Sequence, residues 1–79
     1  MPRNKSSQVT IGADWTQITD GSSDEIVQFY VAVDICRSPT KPLKDAPCLR
    51  YEASTLTITA PDMAWIRTAY VDSAIANIW

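Results

Sequence analysis

Apolar side chains fall at every second position along three separate stretches of this chain, and a pattern of that period is built for strands. Val27, Phe29, Val31, Val33 and Ile35 alternate with Gln28, Tyr30, Ala32 and Asp34. Leu56, Ile58 and Ala60 alternate with Thr55, Thr57 and Thr59, and Val9, Ile11, Ala13 and Trp15 alternate with Thr10, Gly12 and Asp14. A period of two sends successive side chains to opposite faces of a pleated strand, and β-branched and aromatic residues fit that surface well. The segment 26–35 reads as the clearest strand. Its second face, with Ile26, Gln28, Tyr30, Ala32 and Asp34, is too apolar for full hydration and too polar for a sealed core.

Breakers divide the remainder. Ile18 is out of phase with Trp15, so the first strand bends, bulges or changes face before Asp20-Gly21-Ser22-Ser23-Asp24, a run with strong turn chemistry. Pro61-Asp62 ends the threonine-rich run, and a short pairing segment is expected at 49–52. The last stretch reads as a hairpin, with strands at 64–70 and 74–79 and a turn near Val71-Asp72-Ser73; a helix is the weaker alternative. These signals add up to about six short strands and an all-β fold, a small antiparallel β-sandwich or open barrel. One domain spans 1–79, with a polar tail at 1–7 and a proline-containing loop at 37–47. Trp15 and Phe29 are expected in its core.

A domain of 79 residues buries too little surface to hold a large margin over its chain entropy, so it profits from a staple, a metal or a partner. Metal is disfavoured: there is no His, and two cysteines do not make a four-ligand zinc site. Cys36 and Cys48 flank the proline loop, where a bridge would clip it at the base for about 3 kcal/mol. Two buried thiols in a reducing cytosol are the competing reading.

Catalytic chemistry finds no foothold. Without His the usual triads are missing, and a cysteine nucleophile would lack its imidazole. Asp20, Asp24, Asp45, Asp62 and Asp72 occupy turn positions, where Asp is expected for backbone reasons. Gly12 and Gly21 are the only glycines, too few for a phosphate cradle. A formal net charge of −2 argues against general nucleic-acid binding. The polar start and the lack of an apolar run near ~20 residues argue against a membrane span. The expectation is a non-enzymatic chain that needs no cofactor and is synthesised in the cytoplasm.

The aromatics are the main binding features. Trp15, Trp65, Trp79, Tyr30, Tyr51 and Tyr70 suit core packing, protein docking or sugar stacking. Ile26, Tyr30, Tyr70 and Trp79 are the candidate interface residues, with Arg37, Lys41 and Lys44 as a polar rim.

Two stretches carry a family resemblance: Asp14-Trp15-Thr16-Gln17-Ile18-Thr19-Asp20-Gly21, and Leu56-Thr57-Ile58-Thr59-Ala60-Pro61 followed by Ala64-Trp65-Ile66-Arg67-Thr68. In this order they resemble small β-rich tailed-bacteriophage virion proteins. The cysteine-flanked proline loop departs from that pattern. The resemblance implies a virion structural protein made in the host cytoplasm, foremost a capsid decoration or cement protein. Its partners would be copies of itself, as a homo-oligomer, and a major capsid or other virion protein. A tail or head–tail connector component and a small carbohydrate-binding β module are the alternatives.

Overall fold

The computed structural model describes residues 6–79, so the first five residues of the expected tail at 1–7 lie outside the described residues. Eight strands form: β1 (Ser7–Gly12), β2 (Thr16–Gln17), β3 (Glu25–Phe29), β4 (Val33–Arg37), β5 (Leu49–Tyr51), β6 (Ser54–Ile58), β7 (Ala64–Thr68) and β8 (Ser73–Ile78). No helix is present among the described residues. The strands make two antiparallel four-stranded sheets, a front sheet in the order β1-β8-β3-β6 and a back sheet in the order β2-β7-β4-β5. The expected all-β sandwich is the fold.

Its wiring differs from the sequence reading in three places. The stretch 26–35 is two strands, because the chain turns a corner at 30–32 and passes from the front sheet to the back. Val27 and Phe29 point into the core from one sheet, Val33 and Ile35 from the other, and Val31 packs between. An unbroken alternation therefore conceals the corner. The 64–79 segment is no hairpin: β7 pairs with β2 and β4, whereas β8 pairs with β1 and β3. Ser7, assigned to the tail, already pairs with Ile78. Apart from the β4–β5 connection, each link between consecutive strands crosses from one sheet to the other.

That crossing lets so few residues share one core. Ile11, Val27, Phe29, Ile58, Ala76 and Ile78 from the front sheet meet Val33, Ile35, Ala64 and Ile66 from the back, with Ile18 between the strands. Phe29 is in the core as expected. Trp15 is buried but not in this cluster. The strand that starts with Val9 and Ile11 ends at Gly12, and the chain then bends, carrying Trp15 to the outside of the back sheet.

The linking turns use the chemistry their sequences advertise. Asp20 Oδ1 accepts from the Ser22 backbone N–H at 3.0 Å and from the Ser22 hydroxyl at 2.6 Å. Gly21 has φ +83°, and a Cβ there would lie 2.7 Å from the Pro61 carbonyl oxygen, so two loops meet where only glycine fits. Thr19 secures the same junction: its hydroxyl donates to the Asp62 carbonyl at 3.0 Å and accepts from the Ala64 N–H at 2.9 Å.

Candidate functional site

Register fixes what each sheet shows to the outside, since the neighbours of every core residue must point away from it. On the back sheet these are Asp34 and Cys36 from β4, Arg50 from β5, and Trp65 and Arg67 from β7. Asp34 is only 3% exposed, and a buried carboxylate must be paired. Arg50 Nε donates to its Oδ1 at 2.9 Å and Arg67 Nε to its Oδ2 at 3.2 Å. The hydrogen bond from Arg50, against the opposing pull of burial and with help from Arg67, holds the Asp34 carboxyl below its ordinary value.

Both guanidiniums also lie over aromatic rings. Arg67 sits 4.2 Å from the centroid of a Trp15 ring, and Arg50 sits 5.0 Å from the Tyr70 centroid while donating to the Tyr70 hydroxyl at 3.0 Å. The proline loop then closes over this layer. Trp15 Nε1 donates to the Leu43 carbonyl at 3.0 Å, Trp65 Nε1 to the Ser38 carbonyl at 2.9 Å, and Arg67 Nη1 to the Lys44 carbonyl at 2.7 Å. Lys41 pairs with Asp14 at 2.7 Å and Arg37 with Asp62 at 3.3 Å. This face is internally satisfied and covered by its own loop.

The front sheet is different in kind. Its outward strand residues are Gln8, Thr10 and Gly12 on β1, Ser73, Ile75 and Asn77 on β8, Ile26 and Gln28 on β3, and Thr55 and Thr57 on β6. None carries a formal charge, and no loop of the described residues is bonded across them as the proline loop is across the back sheet. Ile26 is 40% exposed, Ile75 49% and Trp79 74%. The Trp79 N–H donates to the Ile26 carbonyl at 2.8 Å, setting the indole beside Ile26. Together with Ser6, Gln28, Thr55, Asn77 and Ile78 they line a shallow cleft of about 300 Å³. Tyr30 continues the face past the end of β3, its hydroxyl donating to Gln28 Oε1 at 2.7 Å, and Gln28 Nε2 donates to the Thr55 hydroxyl at 3.3 Å.

The candidate interface residues are thus split between the two faces. Ile26, Tyr30 and Trp79 share the front sheet, while Tyr70, Arg37 and Lys41 belong to the back-sheet side, where Arg50, Asp62 and Asp14 engage their side chains, and Lys44 lies there with its backbone carbonyl accepting from Arg67. The three cations do not form a rim around the exposed apolar residues. Sequence reasoning missed Ile75, which faces outward because its neighbours Ala74 and Ala76 face the core; reading 74–79 in phase with Trp79 would have found it. It also missed Asp34 as the hub of the back-sheet network, for which no local signal exists.

A second concavity opens where β5 and β6, edges of opposite sheets, lie unpaired with one another. This groove, about 510 Å³, is lined by Ile35, Leu49, Tyr51, Leu56, Ile58 and Ala64, with Cys36 and Cys48 at its margin. Both cysteines are free thiols, Cys36 buried and Cys48 exposed. Among the described residues no cluster of three or more His, Cys, Asp or Glu side chains is placed to hold a metal ion, and no helix is long and apolar enough to cross a membrane. Set against the profiles of known protein families, the curated proteins and the solved structures, the chain matches none of the three.

Proposed function

We propose that this chain is a non-catalytic structural protein of a tailed-bacteriophage virion, foremost a capsid decoration or cement protein, which assembles through the outer face of its front sheet. The observation that carries the assembly reading is the outer face of the front sheet, whose described strand residues are all uncharged and which exposes Ile26, Ile75 and Trp79. Exposed apolar residues at both ends of one sheet face, Ile26 and Trp79 on one side of the Gln28–Asn77 pair and Ile75 on the other, suit a contact surface. A surface without charge meets a copy of itself, or a neutral patch on a shell protein, with neither repulsion nor the desolvation cost of ions. The virion assignment rests on the Trp-Thr and Thr-rich/Trp-x-Arg motifs. A tail or connector position would use the same face.

The test is co-sedimentation of the purified chain with phage capsids, alongside its own mass in solution. The parent should self-associate or travel with the particles. Ile26→Lys combined with Ile75→Lys should abolish both while leaving the melting temperature close to that of the parent. A parent that stays monomeric and ignores the particles, or a double variant that binds equally well, would sink the proposal.

One feature favours a second reading, a carbohydrate-binding module: the cleft beside Trp79 combines an exposed indole with the Gln28 and Asn77 amides. Glycan-array binding by a dispersed monomer, lost in Trp79→Ala, would select it over assembly.

A further inference from the structure

The β4–β5 ladder carries a consequence for the two cysteines. Val33 faces Tyr51, Asp34 faces Arg50 and Ile35 faces Leu49. Continued one step past the start of β5, the same antiparallel register would set Cys36 opposite Cys48. Directly opposed antiparallel residues have Cα atoms about 4.5–5.5 Å apart, inside the roughly 4.4–6.8 Å that a disulfide spans. Both cysteines border the same groove. We propose that Cys36 and Cys48 form a reversible cross-strand disulfide that locks the proline loop onto the back sheet, made by exchange with a small-molecule disulfide such as oxidised glutathione.

The two thiols are unequal, which sets the order of events. Cys36 is buried, and burial, with a smaller contribution from neighbouring Cys48, pushes its thiol up. Cys48 is exposed and attacks first. Its thiolate displaces one glutathione thiolate and leaves a mixed disulfide. Cys36 then loses its proton to solvent and attacks the Cys48 sulfur, expelling the second glutathione thiolate. Two electrons pass from the protein thiols to the small disulfide, and the two protons end on the released glutathiones. Because Cys48 stays accessible, reducing thiols can reverse the exchange.

The segment between the cysteines is the one that Trp15, Trp65 and Arg67 hold by its carbonyls at Leu43, Ser38 and Lys44. A bridge at its base restricts the unfolded chain and keeps that cover in place. The inference stands on the ladder alone and is independent of the assembly reading.

The full chain is treated with oxidised glutathione and followed by intact mass, peptide mapping without reductant, and thermal melting. The expected result is loss of both free thiols without a lasting glutathione adduct, and a link joining the Cys36 and Cys48 peptides. The melting temperature should rise by about 10 °C, reversibly with dithiothreitol. Cys48→Ser, a change at an exposed position, should melt at the same temperature with and without oxidant. Persistent glutathione on Cys48 beside a free Cys36, disulfide-linked dimers, unreacted thiols, or a bridge that leaves the melting temperature unchanged would each overturn the proposal. So would an equal rise in Cys48→Ser.

Discussion

The two outer faces of this sandwich solve the same problem in opposite ways. Each sheet needs one side for the shared core and must do something with the other. The back sheet places Asp34 among Arg50 and Arg67, backs the guanidiniums with Tyr70 and Trp15, and folds the proline loop over the result. The front sheet shows threonines, amides, Ile26 and Ile75 to the surroundings, and among the described residues its outward strand positions carry no charge and no cover of that kind. Polar pairing inside the molecule makes a face self-sufficient; an uncharged apolar face is stabilised only by something added from outside. Internal polar pairing therefore concentrates on the back, and the exposed apolar residues Ile26 and Ile75 lie on the front.

Substitutions should separate the faces sharply. Trp15→Ala removes a buried ring, the surface under Arg67 and the anchor of Leu43, and should cost about 3 kcal/mol, read from urea denaturation. It should also expose the 37–47 loop to proteases. Asp34→Ala leaves two arginines without their acid and should cost about 2 kcal/mol, toward the low side for a broken buried pair because Arg50 reaches water. If either change proves neutral, the back face is not the self-supporting one.

The pH response sharpens the same contrast. Asp34 titrates below its ordinary value of 3.8 in the folded protein, so between the two values the unfolded chain binds more protons. Stability from this group is complete above 3.8, and it is lost as pH falls through the folded value. Asp34→Asn should flatten the acid limb of a stability–pH curve measured by urea midpoints, and an unchanged limb would show that other carboxylates set it. On the front sheet, Ile75→Ser should shift stability by no more than about 0.5 kcal/mol, while weakening the assembly proposed for that face. Smallest of all, Lys41→Ala removes an exposed ion pair with Asp14 and should leave the denaturation midpoint unchanged within error.

Much of the fold was legible in the alternation of apolar residues. Val9, Ile11, Val27, Phe29, Leu56 and Ile58 all point inward as the period-two reading requires. The corner at 30–32 was not legible, because inward residues on either side of a sheet-switching turn keep the same phase as inward residues along one strand. The false hairpin at 64–79 failed for a related reason: a short turn between two strands reads alike whether the strands pair or diverge into separate sheets. Trp15 is buried as expected, but its place on the outside of the back sheet was not legible, because a buried indole there depends on a loop that starts 22 positions later, at 37.

Of the candidate surface, Ile26, Tyr30 and Trp79 were visible as apolar residues on mixed faces, and Ile75 only once the register of β8 was known. Arg37, Lys41 and Lys44 looked like a rim because they cluster in sequence, yet their partners come from distant segments.

The order of residues alone determined that this chain makes strands, where most of them turn, and which side chains seek a core, since these follow from local backbone preference and the spacing of apolar groups. Only the tertiary structure decided which strands share a sheet, that Asp34 gathers two arginines, and that Ile35 pairs with Leu49 at the base of the proline loop. Those pairings join positions far apart along the chain, and they arise only when crossing connections bring two sheets together around a single set of buried side chains.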